Sequence, residues 1–197
     1  MTESSAKAKK QDGKMDVINA IYQRHAVRSY LPAKPDEETI KFLLDAARHA
    51  PSAMNEQPWA FAVIQDKKTL EHISKVAKKM IPESDESGHN FERFLQPDFS
   101  VFYDAPTLIV IYGKPLGDFV AAECWLAAEN LMLAACSIGL GTCVIGLAIS
   151  ALNSREIKEE LGIPSGMTAY APIIVGTPRG DILPVAREEP EILVWKK

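Results

Sequence analysis

From Leu131 to Leu152 the chain carries no charged residue. This run overlaps a segment, Gly117 to Ile138, whose spacing predicts a helix of about six turns, roughly 30 Å long. Val120, Ala121, Trp125, Ala128, Leu131, Met132 and Ala135 spread around most of that helix instead of forming one stripe. A helix of that kind must be buried on nearly all sides. A chain of 197 residues has limited material to cover it, which points to a partner subunit on the side its own core leaves open. The uncharged run is also long enough to span a bilayer. Against that, Gly139, Gly141 and Gly146 interrupt it, and Glu123 and Glu129 lie on the same helix. No cluster of Lys or Arg flanks either end. A buried helix, a glycine turn and a core strand account for the segment, and no membrane is expected as a partner.

Shorter periodic segments fill the rest of the chain. Met15 to Gln23 reads as a helix with Val17, Ile18 and Ile21 on one face. Asp36 is a good N-cap, with Glu37 and Glu38 in the favourable first turn of a second helix. Ile40, Leu43, Leu44 and Ala47 continue it until Pro51. Trp59, Phe61 and Val63 alternate as in a strand. Lys67 to Met80 is helical again, with Leu70, Ile73, Val76, Ala77 and Met80 predicted to face inward. Ile81 to Tyr103 carries a polar run and four phenylalanines, Phe91, Phe94, Phe99 and Phe102. Such a loop either caps a binding site or merely covers core. Thr107 to Tyr112 is a continuous apolar run, expected as a central strand. Thr142 to Ile145 is a short strand, Asn153 is expected to cap a helix through Leu161, Ile173 to Val175 is a strand, and Glu191 to Trp195 is extended. Helices and strands interleave, which predicts an α+β or α/β fold with a mixed sheet covered by helices. No repeat or long linker divides residues 15–197, expected as one domain, whereas the polar stretch Met1 to Lys14 is expected to be a disordered tail.

Composition narrows the function. A formal net charge of -4, with 24% charged residues, gives no electrostatic footprint for nucleic acid. Cys124, Cys136 and Cys143 are an odd number at no metal or redox spacing, as expected of reduced thiols in a cytoplasmic protein. His25, His49, His72 and His89 form no paired-ligand spacing, so no metal site is expected. Gly139-Leu140-Gly141 resembles part of a dinucleotide fingerprint, but it closes a helix and opens a strand, the reverse of the required order. There is no nucleophile elbow and no P-loop. An enzyme without an obvious nucleophile, metal or base would take its chemistry from an organic cofactor.

Two motifs remain. Arg24-His25-Ala26-Val27-Arg28-Ser29 places two guanidinium groups four residues apart. They suit a phosphate or an anionic heterocycle, or else simply form a solvated basic turn. In Ala50-Pro51-Ser52-Ala53-Met54-Asn55-Glu56-Gln57-Pro58-Trp59, two prolines stiffen a loop that presents Ser52, Asn55 and Gln57. By itself it could be only a helix-to-strand connection.

In this order, and joined by Asp104-Ala105-Pro106 before the central strand and Gly139-Leu140-Gly141-Thr142 after the long helix, these motifs resemble the nitroreductase family. The resemblance runs from about Met15 to Trp195. It implies an α+β fold with a mixed, mainly antiparallel central sheet flanked by helices, a long dimer-interface helix and an extended C-terminal segment. It also implies FMN, held between the subunits of a homodimer by Arg24, His25, Ala26, Arg28, Ser52, Ala53, Asn55, Gln57, Val144, Ile145, Gly146 and Arg187. Arg24 would hold the phosphate with Arg187, Arg179 being the lesser candidate. Arg28 would lie near the pyrimidine end, and Ser52, Asn55 and Gln57 would reach across from the other subunit. Ile145 and Gly146 would approach N5 through the backbone, the glycine permitting close approach. Ala26 stands where family members often have Ser, so only a backbone contact is available there. No side chain is expected to be catalytic, because N5 of the flavin carries the chemistry. The implied reaction is ping-pong, from NADH or NADPH through FMN to a nitroaromatic, a quinone or a related small acceptor. Two alternatives are a flavin-binding protein without turnover and a reductive dehalogenase. The dehalogenases grip an amino-acid zwitterion with a Glu, Tyr and Lys lid, whereas here residues 81–113 contain no Lys and Arg93 is their only permanent cation.

Overall fold

A computed structural model describes residues 15–82, 91–180 and 185–197. The expected tail, Met1 to Lys14, lies outside the described residues, as does most of the polar run after Ile81. In chain order the elements are α1 (Val17–Gln23), α2 (Glu37–Arg48), β1 (Trp59–Ile64), α3 (Lys67–Met80), α4 (Glu92–Leu95), β2 (Thr107–Gly113), α5 (Val120–Ser137), β3 (Gly141–Val144), α6 (Ile149–Leu152), α7 (Arg155–Leu161) and β4 (Thr168–Gly176).

The four strands form one sheet in the order β1-β2-β4-β3, with every neighbour antiparallel. Its parallel component is the bridge between Ala26 and Thr142, which adds the segment after α1 to the outer edge of β3. The sheet is thus mixed and mainly antiparallel. Side chains of a strand alternate between faces, so β2 feeds two cores. Leu108, Val110 and Tyr112 enter a cluster with α3, α6 and α7, while Ile109 and Ile111 enter one with α2 and α5. The result is three layers, helices on both faces of the sheet.

The cap expected of Asp36 is present, and two further aspartates cap α1 and α3. The side chains of Asp36 and Asp66 accept from Thr39 and Thr69 and open α2 and α3. Asp16 does the same for α1 through Asn19. Asn153 is not the N-cap of the following helix: Ser154 opens α7, and Asn153 is the C-cap of α6. Asn153 instead stitches α6 to β4, accepting from Ala169 N at 2.8 Å and donating to Ala169 O at 3.0 Å. β4 begins at Thr168, five residues before the expected Ile173, because Pro172 interrupts the sequence pattern without interrupting the strand. A proline lacks a ladder donor and is tolerated at irregularities. Pro172 pairs with Val110 next to a register shift at Ile111/Tyr112, and its carbonyl accepts from Ile145 N just beyond the end of β3.

Two helices turn apolar residues outward. On α1, Ala20 is buried, while Val17, Ile18, Ile21 and Tyr22 are exposed. On α5, Ala128, Leu131 and Ala135 are fully buried against the chain's own sheet, but Trp125 and Leu126 are exposed, as is Phe119 at its N-cap. Met80, expected inside, is also exposed. The C-terminal Ile192, Leu193, Val194 and Trp195 are exposed, and no strand is assigned there. Among the described residues no helix is long and apolar enough to cross a membrane.

Candidate functional site

The first arginine motif leaves α1 as extended chain and lies along β3. Val27 N donates to Thr142 O at 2.9 Å. Val27 turns inward, where it is buried, while Ala26 and Arg28 are exposed and Arg24 is partly exposed. Four extended residues span at most about 14 Å, so the two guanidinium groups serve opposite ends of one elongated strip. Gly141 makes the docking possible, since a Cβ there would lie 2.7 to 2.9 Å from the Val27 side chain.

Each residue of the strip has a distinct anchor. Arg24 Nε lies 3.4 Å from Glu129 Oε1 on α5, with the arginine about a quarter exposed. A guanidinium has five donors, so an Nε contact leaves its terminal edge suited to an anion. His25 Nδ1 lies 2.8 Å from Gln23 O. Arg28 stands 6.0 Å from the Tyr103 ring centroid and beside the buried Cys143 thiol. Burial pushes the Cys143 pKa up, while the charge of Arg28 and a hydrogen bond from it act in the opposite sense. Antiparallel pairing of Ser29–Leu31 with Thr177–Arg179 brings Arg179 to the same end, its Nε 3.3 Å from Tyr30 O. Arg28, Arg93, Arg179, Phe99 and Tyr103 line a cavity of about 550 Å³ there. Tyr103 and Asp104 both have φ near +50°, a conformation that is costly for a bulky residue.

The second motif forms a 3-10 turn, Ala53–Asn55, between α2 and β1. Gln57 N donates to Ser52 Oγ at 3.0 Å, and Gln57 Nε2 donates to Asn55 Oδ1 at 3.2 Å. Met54, Asn55 and Gln57 all have φ between 49° and 57°. Three such residues within four positions store strain on an exposed loop, a pattern that accompanies ligand clamps. The Ala53 N–H is held by Glu123 Oε1 at 2.7 Å. Both motifs are thereby attached to α5, about two turns apart.

The third component is the end of β3. Ile145 N donates to Pro172 O at 2.8 Å, so its N–H is committed within the chain. Gly146 opens the 3-10 turn that follows, a position whose N–H has no intrahelical acceptor. A Cβ on Gly146 would meet nothing within 4 Å, so the chain's own packing does not require glycine there. Val144 is half-buried beside it. Arg187 lies on the exposed C-terminal segment and makes no ion pair with a described residue. Within one chain the structure therefore brings together Arg24, His25, Ala26 and Arg28 with Val144, Ile145 and Gly146, and anchors the Ser52–Gln57 loop to α5, the helix that also pairs with Arg24. Glu123 and Glu129 were not identified as site residues in the sequence. Their signal was their presence as the two carboxylates of a largely apolar helix.

Residues 21–177 match the model of the Nitroreductase family, from within α1 through β4. The chain belongs to that family. It is 30% identical over 169 residues to a protein of Methanothermobacter thermautotrophicus provisionally named NADH dehydrogenase/NAD(P)H nitroreductase, covering 84% of this chain and 78% of that one. It is 27% identical over 162 residues to the iodotyrosine deiodinase of Thermotoga neapolitana, covering 79% and 85%. Among solved structures, the nitroreductase of Bacteroides fragilis with bound FMN superposes with a TM-score of 0.81 at 25% identity, covering 93% of this chain and all of that one.

Proposed function

We propose that this nitroreductase-family chain is an FMN-dependent oxidoreductase. It takes hydride from NADH or NADPH and passes the reducing equivalents to a small acceptor such as a nitroaromatic or a quinone. The observation that carries this reading is the strip along β3, with Arg24 and Arg28 at its ends and Gly146 facing open space beside it. An elongated cofactor with an anionic phosphate and a planar ring matches that layout. When bound, FMN supplies a hydride acceptor and donor at N5.

The protein's own residues position and tune. Arg24 binds phosphate through a charge-assisted contact, supported by Arg187 from the C-terminal segment or by Arg179. Arg28 places positive charge at the pyrimidine edge, which favours the reduced, anionic ring. Gly146 N–H would be a backbone donor available to the ring of a bound flavin. Ser52, Ala53, Asn55 and Gln57 clamp the flavin of the other subunit in a homodimer. Donor and acceptor then use one face in turn, and the protein works in the cytoplasm.

The purified protein is expected to be yellow and to release FMN, not FAD, on denaturation. Stopped-flow mixing with NADH or NADPH should bleach it. Colourless protein that takes up no added FMN overturns the reading, and a flavoprotein that neither nicotinamide reduces is a binder without turnover. Reductive dehalogenation is a second reading, favoured by the deiodinase relative. Against it stands the lysine-free 81–113 segment, and release of iodide from 3-iodotyrosine by the reduced protein decides between them.

A further inference from the structure

Among the described residues, Glu123 is the only buried side chain that is ordinarily charged. An acid in the first turn of a helix is favourable, but that effect needs no burial. Its carboxylate reaches across 70 residues of sequence to accept the Ala53 N–H at 2.7 Å. The contact falls at the start of the loop in which Met54, Asn55 and Gln57 hold left-handed backbone. Such strain persists only where the surroundings over-determine it. Within the loop, Ser52 Oγ closes the turn onto Gln57 N. Glu123 ties the closed turn to α5, next to an apolar groove formed by Pro51, Phe119, Ala122 and Leu126.

We propose that Glu123 is a positioning residue of the flavin site, resting on the FMN reading above. Its carboxylate fixes the strained 52–57 loop on α5, so that Ser52, Asn55 and Gln57 are presented as a preformed clamp. Without it the loop relaxes, and FMN binding must reorder it at a cost in affinity.

The test removes the hydrogen bond from each side. E123A deletes the acceptor, and E123Q keeps an acceptor oxygen. A53P deletes the donor at a position suited to proline: Ser52 is extended at φ -143, ψ 152, as a residue before proline must be. Ala53 also opens a helical turn, where proline is accepted. FMN dissociation constants are measured by flavin fluorescence, alongside thermal unfolding of the flavin-free proteins. E123A and A53P should each weaken FMN binding about tenfold or more, the double variant no further, and E123Q within about threefold of the parent protein. A parent protein that binds no FMN overturns the proposed function itself, and is recognised before any variant is made. If the parent binds and a folded E123A or A53P binds equally well, the role of Glu123 is overturned. Additive losses in the double variant, or E123Q as weak as E123A, count against it in the same way. Should E123A not fold, A53P and E123Q still decide.

Discussion

Arg24 and Arg28 lie four residues apart on one segment, but they have different neighbours and so should fail differently. Arg24→Ala removes a charge-assisted phosphate contact and should weaken FMN retention by about tenfold or more. Arg28→Ala should lower the flavin midpoint potential and slow hydride transfer, with a smaller loss of binding. Potentiometry showing an unchanged midpoint in Arg28→Ala would exclude that role. The buried thiols and phenols give a second test. Burial, and then the charge of Glu123, push the Cys124 thiol from 9.0 up to about 12, and burial takes Tyr112 to about 12. Such groups stay protonated in the fold while the unfolded chain begins to release protons near pH 9, so the unfolded state then binds fewer protons. Stability is therefore fully present below pH 9 and lost as pH rises towards 12. Urea midpoints in reducing buffer should fall between pH 8.5 and pH 10.5, less steeply in Cys124→Ala, and a level midpoint would contradict the assignment. At this scale the sequence showed the arginines because they lie within one short motif. It could not pair Arg24 with Glu129 or Ala53 with Glu123, because those contacts join residues distant in sequence.

Local signals placed most elements. α3 runs Lys67–Met80 as its spacing predicted, since an apolar stripe is readable in a short window. β4 was legible only at its C-terminal end, because its irregular pairing around Pro172 depends on β2 and β3. The α1 stripe was recognised by period as one face, and a period cannot say which partner covers a face. The two glycines of the β3 region make opposite predictions. Gly141→Ala would drive a Cβ into Val27, so it should lower the unfolding temperature and weaken FMN binding together. Gly146→Ala meets nothing in the chain, so the flavin-free stability should stay within about 0.5 kcal/mol of the parent. Its FMN affinity should nonetheless fall, because a Cβ then occupies the space next to the ring. Equal FMN affinity in Gly146→Ala would remove that residue from the site.

A single chain leaves an apolar surface that its own fold does not explain. Phe119, Trp125 and Leu126 are 69%, 39% and 48% exposed on or beside α5, and Trp195 is 72% exposed on the C-terminal segment. Val17, Ile18, Ile21 and Tyr22 project from α1, which packs against α5. Isolated exposed apolar residues are ordinary, but large groups of them mark interfaces. The sequence implied a partner from the circumference of the long helix, and the structure identifies which residues remain uncovered. Ala128 is not among them. It is fully buried in the chain's own core, so a charge there would test folding and not association. Leu126 is the better probe. Glutamate at a half-exposed helix position is tolerable in a monomer, whereas in a dimer it would be buried without a counterion, which is strongly unfavourable. An obligate interface of this kind should exceed about 2,000 Å², and its loss should take the flavin with it if Ser52 and Asn55 clamp across the subunits. Leu126→Glu is therefore expected to sediment at micromolar concentration as a folded, colourless monomer, against a yellow dimer for the parent protein. Circular dichroism confirms folding, and absorbance at the flavin band reports occupancy in the same run. A Leu126→Glu monomer that keeps its flavin would show that one chain completes the site alone.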